Sequence, residues 1–339
     1  MTPEKFMQLQ KLSYPEKIRH ATMIAKEFYA QVDGEAFCSV GGLDSITLLT
    51  FLREAVSKDI PGVSVSVLED KSIQEVHRTF GNFVFLKPLK SKVQVIREHG
   101  FPVISKEKAG KIQLLQNPTE KNATVRHAIM TAQTGKLGRY KISPKMKLPK
   151  KWLELFAGGE NERYGTTFRQ APFKVSPDCC YWMKERPADL YAKETKRLPY
   201  MGLMASEGGQ REKALMNHGC NYYGKTVWRS CPFAIFSRQD LLHLAIELNV
   251  PVPKIYGTIE RNPDGTLYTT RAQRTGCSMC GFGIHIEERP HRFDRMREDS
   301  EKEWRFWMYE MGWGKVLDYI GVGWEDLPGR YDHQGVLSL

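Results

Sequence analysis

An α/β fold built on a parallel sheet is what this sequence predicts, and three observations predict it. Short runs rich in β-branched and aromatic residues alternate with amphipathic stretches through the first hundred residues. That β-α rhythm gives a parallel sheet with right-handed crossovers. A glycine pair, Gly41-Gly42, stands where the first apolar run gives way to a helical pattern. A later apolar run, residues 197–206, ends in a second glycine turn, Glu207-Gly208-Gly209-Gln210-Arg211. A nucleotide in such a fold lies across the carboxyl ends of the strands, near a switch point in their order.

The elements follow in order. Residues 3–31 read as helical, because the apolar positions of 14–29 recur at spacings of three and four. Residues 35–40 read as a strand and 44–57 as a helix. Residues 60–69 and 82–89 are the second and third strands, each followed by a helix, 71–81 and 92–100. Residues 108–170 read as a basic helical insertion closed by the loop 157–167, which is dense in Gly and Asn. The fourth strand lies within 197–206. Residues 225–237 lead into a helix over 238–249, and the Pro-Asp-Gly turn inside 261–270 predicts a short hairpin. From Glu287 onward the chain is helical and Trp-rich, the pattern of a packed aromatic cap. The expected segments are therefore an N-terminal helical stretch (1–30), a nucleotide-binding core in two parts (31–107 and 171–260) split by the insertion (108–170), and a cysteine-bearing cap (261–339).

With 339 residues the chain is long enough for one large domain with additions, or for two. No run approaches the roughly 18 apolar residues of a membrane span. The first residues lack the apolar core of a secretory signal, so a cytoplasmic setting with reduced thiols is expected. The net charge is +11, and its excess concentrates in residues 136–151. A basic run beside a nucleotide fold binds nucleic acid, attracts a multiply charged nucleotide, or is simply solvated.

Two groups of residues carry chemistry. The first is the turn Ser39-Val40-Gly41-Gly42-Leu43-Asp44-Ser45. Glycines between a strand and a helix let backbone N–H groups face an anion, and the helix N-terminus adds its positive dipole end. Ser45 can donate to a phosphate oxygen, while Asp44 can cap the helix or help hold Mg²⁺. A plain turn with Asp44 as cap is the bland alternative. At the second glycine turn, Arg211 offers a fork for phosphate or sulfate and Glu207 can orient it; an ordinary helix-start ion pair would use the same residues. Lys106, after an apolar stretch, could reach an anion.

The second group is the cysteines. Cys179-Cys180 and the Cys277-x-x-Cys280 pair together supply four thiolates, the ligand set of a [4Fe–4S] cluster or of an all-cysteine zinc site. Adjacent cysteines are unusual in zinc sites. The flanking Tyr181, Trp182, Met183 and Phe282 would exclude water, so the cluster is the expected reading. Cys38 and Cys231 read as inert buried thiols. Cys220 could stand in for Cys179 or carry sulfur, and His285 and His291 could donate toward cluster sulfurs.

These features resemble the phosphoadenosine phosphosulfate (PAPS) reductase family, part of the PP-loop or adenine nucleotide alpha hydrolase-like superfamily, and in particular its iron–sulfur branch found in phages and anaerobic bacteria. The superfamily's S-G-G-x-D-S pattern falls on Val40-Gly41-Gly42-Leu43-Asp44-Ser45. Residues 99–112, 176–187, 200–215, 236–257 and 274–296 are similar to further stretches of that branch. The resemblance implies a Rossmann-like parallel sheet of the adenine nucleotide alpha hydrolase type, with a helical insertion and a cysteine-bearing C-terminal region. It implies an adenine nucleotide, ATP or PAPS, held by Ser39, Gly41, Gly42, Asp44, Ser45, Glu69, Glu207 and Arg211. Asp44, Ser45 and Arg211 would be catalytic, and Cys179, Cys180, Cys277 and Cys280 would hold a [4Fe–4S] cluster. A protein donating electrons or sulfur, and a nucleic acid drawn to the basic segment, are the implied partners.

The departures shape the expected activity. Val40 replaces the first serine of the loop, with Ser39 beside it. Leu68-Glu69 fit the second-strand loop, but its usual Thr-Gly is missing. Gly208 replaces a serine. The final residues, HQGVLSL, differ from the family's Glu-Cys-Gly-Leu-His tail, whose cysteine is the nucleophile. ATP-dependent sulfur transfer through an adenylated intermediate is therefore expected ahead of a PAPS or adenylylsulfate reductase that releases sulfite. A nucleotide-binding cluster protein without turnover is the third reading.

Overall fold

The computed structural model describes residues 2–65, 69–135, 140–164, 168–225 and 227–325. The chain forms two compact units, Met1–Leu89 with Lys184–Cys277, and Lys90–Met183 with Ser278–Leu339. Leu68, the start of the basic run (136–139) and the C-terminal HQGVLSL lie outside the described residues.

The first unit is the α/β layer that the sequence predicts. Its sheet contains β1 (Ala36–Ser39), β2 (Gly62–Val65), β3 (Phe83–Leu86), β4 (Leu198–Met201), β5 (Asn221–Tyr223) and β6 (Trp228–Ser230). Their order across the sheet is β3-β2-β1-β4-β6-β5, and every neighbouring pair is parallel except the edge pair β5–β6. The edge strand β5 escaped the sequence analysis because NYY is only three residues long and follows a Gly-Cys turn. In register, Cys38 faces Gly62 on one side and Tyr200 on the other. From β1 the chain proceeds to β2 and β3 on one side and only later to β4 on the other. The order therefore reverses beside β1, the position where open α/β sheets take their ligands.

Local signals fix the helices of this unit. Helices α1 (Pro3–Gln10) and α2 (Tyr14–Gln31) fall where apolar spacing places them. Ser13 and Glu16 form a capping box at the start of α2. Helix α3 (Leu43–Ala55) starts directly on the glycine turn. Helix α4 (Lys71–Thr79) is capped by Asp70, which accepts from the Ser72 N–H at 2.9 Å. Helices α5 (Arg186–Thr195), α6 (Gly209–His218) and α7 (Arg238–Glu247) complete the layer. One core links α2, β1, α3, β4 and α7 through Phe28, Cys38, Leu48, Tyr200 and Leu241, all buried. The hairpin Ile259–Arg261 with Leu267–Thr269 forms as expected around Pro-Asp-Gly.

A buried ion pair ties α2 to the start of α7. Lys17 Nζ lies 2.7 Å from Asp240 Oδ2, and Asp240 also accepts from the Ser237 N–H and hydroxyl. Burial raises the Asp240 carboxyl, but the bonds from Lys17 and Ser237 outweigh it and hold it below the usual aspartate value. Truncating one partner strands a buried charge, so Lys17→Ala should cost about 3–5 kcal/mol in urea unfolding. Because the folded value is depressed, this stabilisation is present above the ordinary aspartate pKa of about 4 and is lost as pH falls further. The Lys17→Ala penalty should therefore shrink in acid; a penalty independent of pH removes the assignment.

The second unit is mostly helical. Its helices are Lys92–His99, Lys106–Gln116, Ala123–Thr131, Lys150–Phe156, Arg292–Asp299, Glu301–Arg305 and Trp313–Ile320. Val103–Ile104 pairs in parallel with Gly281–Phe282, and Gln133–Thr134 pairs antiparallel with Lys141–Ile142. The Trp-rich end packs inward as the pattern predicts: Trp304 and Trp313 are fully buried, and Trp313 meets Phe101 and Phe293 edge-on. His291 is also structural. It is buried, caps the helix from Arg292, and its Nε2 lies 2.9 Å from the Gly323 carbonyl. His285 lies edge-on to Trp152, and burial lowers its pKa.

Candidate nucleotide site of the first unit

The glycine turn sits at the carboxyl end of the central strand. Val40 N–H still donates to the Val63 carbonyl at 2.8 Å, so the strand ends only one residue before Gly41. Ser45 then braces the turn. Its hydroxyl accepts from the Gly41 N–H at 2.7 Å and donates to the Gly42 carbonyl at 3.0 Å. Gly42 is required by close approach, not by its backbone angles. A Cβ there would stand 2.2 Å from Tyr256 Oη and 3.1 Å from Thr275 Oγ1. Tyr256 Oη accepts from the Leu43 N–H at 3.2 Å and shares a hydrogen bond with Thr275 at 2.7 Å. The loop after β4 closes over the same point: a Cβ on Gly202 would lie 3.1 Å from Ser45 Cα. Two strand-end loops thus meet at the start of α3.

Charged groups surround this junction. Asp44 is ion-paired with Arg238, whose other terminal nitrogen donates to the Gln273 carbonyl at 3.2 Å. Burial is the main reason the Asp44 carboxyl rises above its ordinary value. Glu207 adds to the rise, while Arg238 and Arg274 oppose it. Glu207 is nearly buried and pairs with the half-exposed Arg211, with Arg274 3.9 Å away. A carboxyl kept costly to ionise beside Arg238 and Arg274 is a perturbed group of the kind that clusters at functional sites. The candidates Gly41, Gly42, Asp44, Ser45, Glu207 and Arg211 are thus brought together. Ser39 ends β1 in register with Val63 and Met201.

Glu69 lies in a neighbouring cluster. Its Oε1 accepts from Lys184 at 2.6 Å, and its buried Oε2 has no hydrogen-bond partner among the described residues. Burial pulls the Lys184 ammonium down, but Cys277 and Glu69 outweigh it, and its pKa rises above the ordinary lysine value.

Sequence reasoning did not single out Arg238, Arg274, Tyr256, Thr275, Lys184 or His77. His77 is the least legible of these. It is buried on α4 and stacks on Phe83, with centroids 5.0 Å apart. Its Nε2 lies 2.8 Å from the Gly41 carbonyl, so the ring donates there and fixes the turn from below. Burial lowers its pKa, with Arg78 and Lys184 helping and Gly41 and Glu69 opposing. A lowered value means the unfolded chain binds the proton better, so stability should fall as pH drops below the ordinary histidine value of about 6.5. His77→Gln, which can keep the donor, should flatten that slope; His77→Phe, which loses the donor, should cost about 1–2 kcal/mol in thermal unfolding. Equal stability of both variants and wild type at every pH overturns this role.

The cysteines divide into two classes. Cys38, Cys220 and Cys231 are buried in the first unit. Burial drives the Cys38 thiol far above its ordinary value and pushes Cys220 and Cys231 up to about 12. The burial of Cys38 and Cys231 fits the inert reading, and burial likewise disfavours a free thiolate at Cys220. Cys277 closes the first unit, while Cys179, Cys180 and Cys280 belong to the second. Cys179 Sγ lies 3.4 Å from Met183 Sδ. Among the described residues, no group of three or more His, Cys, Asp or Glu side chains is arranged to hold a metal. Lys106 opens a helix of the second unit. No described helix is long and apolar enough to cross a membrane.

No family model and no curated protein matches this chain. Among solved structures it is similar to a phosphoadenylyl-sulfate (PAPS) reductase from Candida auris in a phosphate complex. The identity is 11%, the match covers 78% of this chain and 98% of that one, and the TM-score is 0.36.

Proposed function

We propose that the first unit binds an adenine nucleotide, ATP or PAPS, at the Gly41–Ser45 turn, and that the protein is an enzyme of sulfur metabolism acting on the bound phosphate chain. The observation that carries this reading is the junction itself. A glycine turn stands at the carboxyl end of the central strand, at the reversal of strand order, ringed by Arg211, Arg238 and Arg274. Backbone N–H groups and the α3 N-terminus would take phosphate oxygens, and the arginines would neutralise them. Glu69 Oε2, buried and without a partner among the described residues, is a ready acceptor for a ligand hydroxyl or amine. Asp44 holds Arg238 in place and could turn to Mg²⁺ once a nucleotide draws the arginine away.

The preferred reaction is ATP-dependent sulfur transfer. An acceptor oxygen attacks the α-phosphorus, the bond to the β-phosphate breaks, and pyrophosphate leaves with the electron pair. A sulfide-level sulfur donor then adds to the activated carbon and AMP leaves with the oxygen. The arginines stabilise the charge that builds on the phosphates in the first step. Reduction of PAPS or adenylylsulfate to sulfite is the second reading, favoured by the Cys-Cys and Cys-x-x-Cys pairs. Those four thiols are the proposed ligands of a [4Fe–4S] cluster, which would supply electrons or sulfur.

Two measurements test this. Labelled ATP should give pyrophosphate only when an acceptor is present, and PAPS with a thiol reductant should give little sulfite; robust sulfite release would make the reductase reading the first. Anaerobically purified protein should be brown, with broad absorption near roughly 400 nm from thiolate-to-iron charge transfer, and Cys280→Ser should bleach it. Colourless protein holding one equivalent of zinc would remove the cluster.

A further inference from the structure

Residues 136–151 carry seven basic and no acidic side chains, which is seven of the eleven net positive charges of the chain. The described part of this run lies wholly in the second unit. Lys141, Lys145, Lys147, Lys150 and Lys151 are all exposed there. The run is not slack. Its first strand pairs with Gln133–Thr134, the Ser143 N–H donates to the Ala132 carbonyl at 2.8 Å, and the Leu148 N–H donates to Ile129 at 2.9 Å. Lys111 Nζ, itself bonded to Glu107, donates to the Lys145 carbonyl at 2.7 Å and pins the turn. Among the described residues only Lys150 of these lysines has a carboxylate within ion-pair reach, Glu154 at 3.7 Å.

Beside the lysines stand two side chains a solvated face does not need. Ile142 is 68% exposed and Tyr140 is 36% exposed. Tyr140 is not loose: one face stacks on His127, with centroids 5.0 Å apart and planes 23° apart. His127 is held in turn by the Tyr164 hydroxyl at 3.1 Å and Gln133 Oε1 at 3.0 Å. An aromatic ring already held by stacking and still partly exposed costs little entropy to stack on a base. Fixed aromatic plus tethered lysines is the recipe for single-stranded nucleic acid, where cations follow the backbone and rings take the bases.

We propose that the strand and turn of residues 140–151 form a binding surface for single-stranded nucleic acid, with Tyr140 as the stacking platform and Lys141, Lys145 and Lys147 as phosphate contacts. The surface belongs to the second unit and does not depend on the nucleotide reading of the first.

The test is fluorescence anisotropy with the full chain and 12-nucleotide single-stranded RNA, single-stranded DNA and duplex DNA, across a salt series. Binding should weaken steeply with salt. Lys145→Ala with Lys147→Ala should reduce the log–log salt slope by about 1.4, as expected for two lost single-strand phosphate contacts. Tyr140→Ala should weaken single-strand binding roughly tenfold and leave duplex binding unchanged. Ile142→Ala, a more exposed change, guards against misfolding of the Tyr140 variant and should weaken single-strand binding severalfold. The better-bound of RNA and DNA names the natural strand. Absence of single-strand binding at low salt, or single-strand binding that none of the variants changes, overturns the proposal. So does equal weakening of duplex and single strand by Tyr140→Ala, which would reduce the surface to a general polyanion face.

Discussion

Gly42→Ala is expected to abolish most nucleotide binding and to destabilise the first unit by about 1–3 kcal/mol, the usual cost of overpacking a filled site. The backbone is not the obstacle. Gly42 has φ −78°, which alanine adopts freely. The obstacle is the Tyr256 hydroxyl, 2.2 Å from where the new methyl would sit. That makes the effect depend chiefly on one atom, with Thr275 Oγ1 at 3.1 Å a lesser crowding. In Gly42→Ala with Tyr256→Phe the nearest tyrosine-derived atom would be the ring carbon at 3.5 Å, ordinary contact. The double variant should therefore recover part of the stability lost by Gly42→Ala, although Tyr256→Phe alone removes the acceptor of the Leu43 N–H and should cost about 1 kcal/mol. A double-mutant cycle on urea unfolding reads the coupling directly. Strict additivity of the two changes would show that Tyr256 does not hold this turn, while unchanged ATP affinity in Gly42→Ala by calorimetry would remove the turn from the binding site.

The second large effect separates stability from function at Asp44 and Arg238. Arg238→Ala should weaken ATP or PAPS binding by about 1.5–3 kcal/mol, the range for hydrogen bonds to charged groups, and Arg238→Lys should restore little of it because the fork is lost. Asp44→Asn should also weaken binding, since Arg238 loses its anchor. Stability should move the other way. Burial and Glu207 raise the Asp44 carboxyl against the pull of Arg238 and Arg274. A raised acid destabilises the folded state above the ordinary aspartate pKa of about 4, where the unfolded chain has already lost the proton. At pH 7 the melting temperature of Asp44→Asn should match or exceed wild type, and any advantage should vanish as pH falls through that ordinary value. A variant that binds nucleotide normally, or one that melts well below wild type at pH 7, contradicts this division.

Glu207→Gln should behave differently from Asp44→Asn. Glu207 accepts from the Met204 N–H at 3.3 Å and holds Arg211 and Arg274. Its amide would keep the local bond but release both arginines, so binding should weaken with little change in unfolding.

Much of the architecture was legible in the chain. The alternation of apolar runs and amphipathic stretches is a local, periodic signal, and it placed β1 to β4 and helices α2 to α4 within a few residues. The glycine turn was legible because few contexts require two adjacent glycines between a strand and a helix. The aromatic end read as buried because rings at helical spacing have no other economical place to go. Cys38 and Cys231 read as inert, and their burial agrees.

What the sequence by itself determined is therefore the fold class, the loop that opens α3 and the cargo of charge in residues 136–151. What only the tertiary structure decided is which distant side chains close on that loop. Tyr256, Thr275 and Arg238 lie about two hundred residues away in sequence, in stretches whose own patterns announce a turn or a helix start. His77 is one buried histidine on an amphipathic helix, indistinguishable by pattern from a core residue; only the register of α4 against β1 sets its Nε2 at the Gly41 carbonyl. Periodicity reports which face of an element is apolar and so tends to be buried, because that pattern is a property of the element alone. Which atom that face meets is a property of two elements and their packing, and no single stretch of sequence contains it.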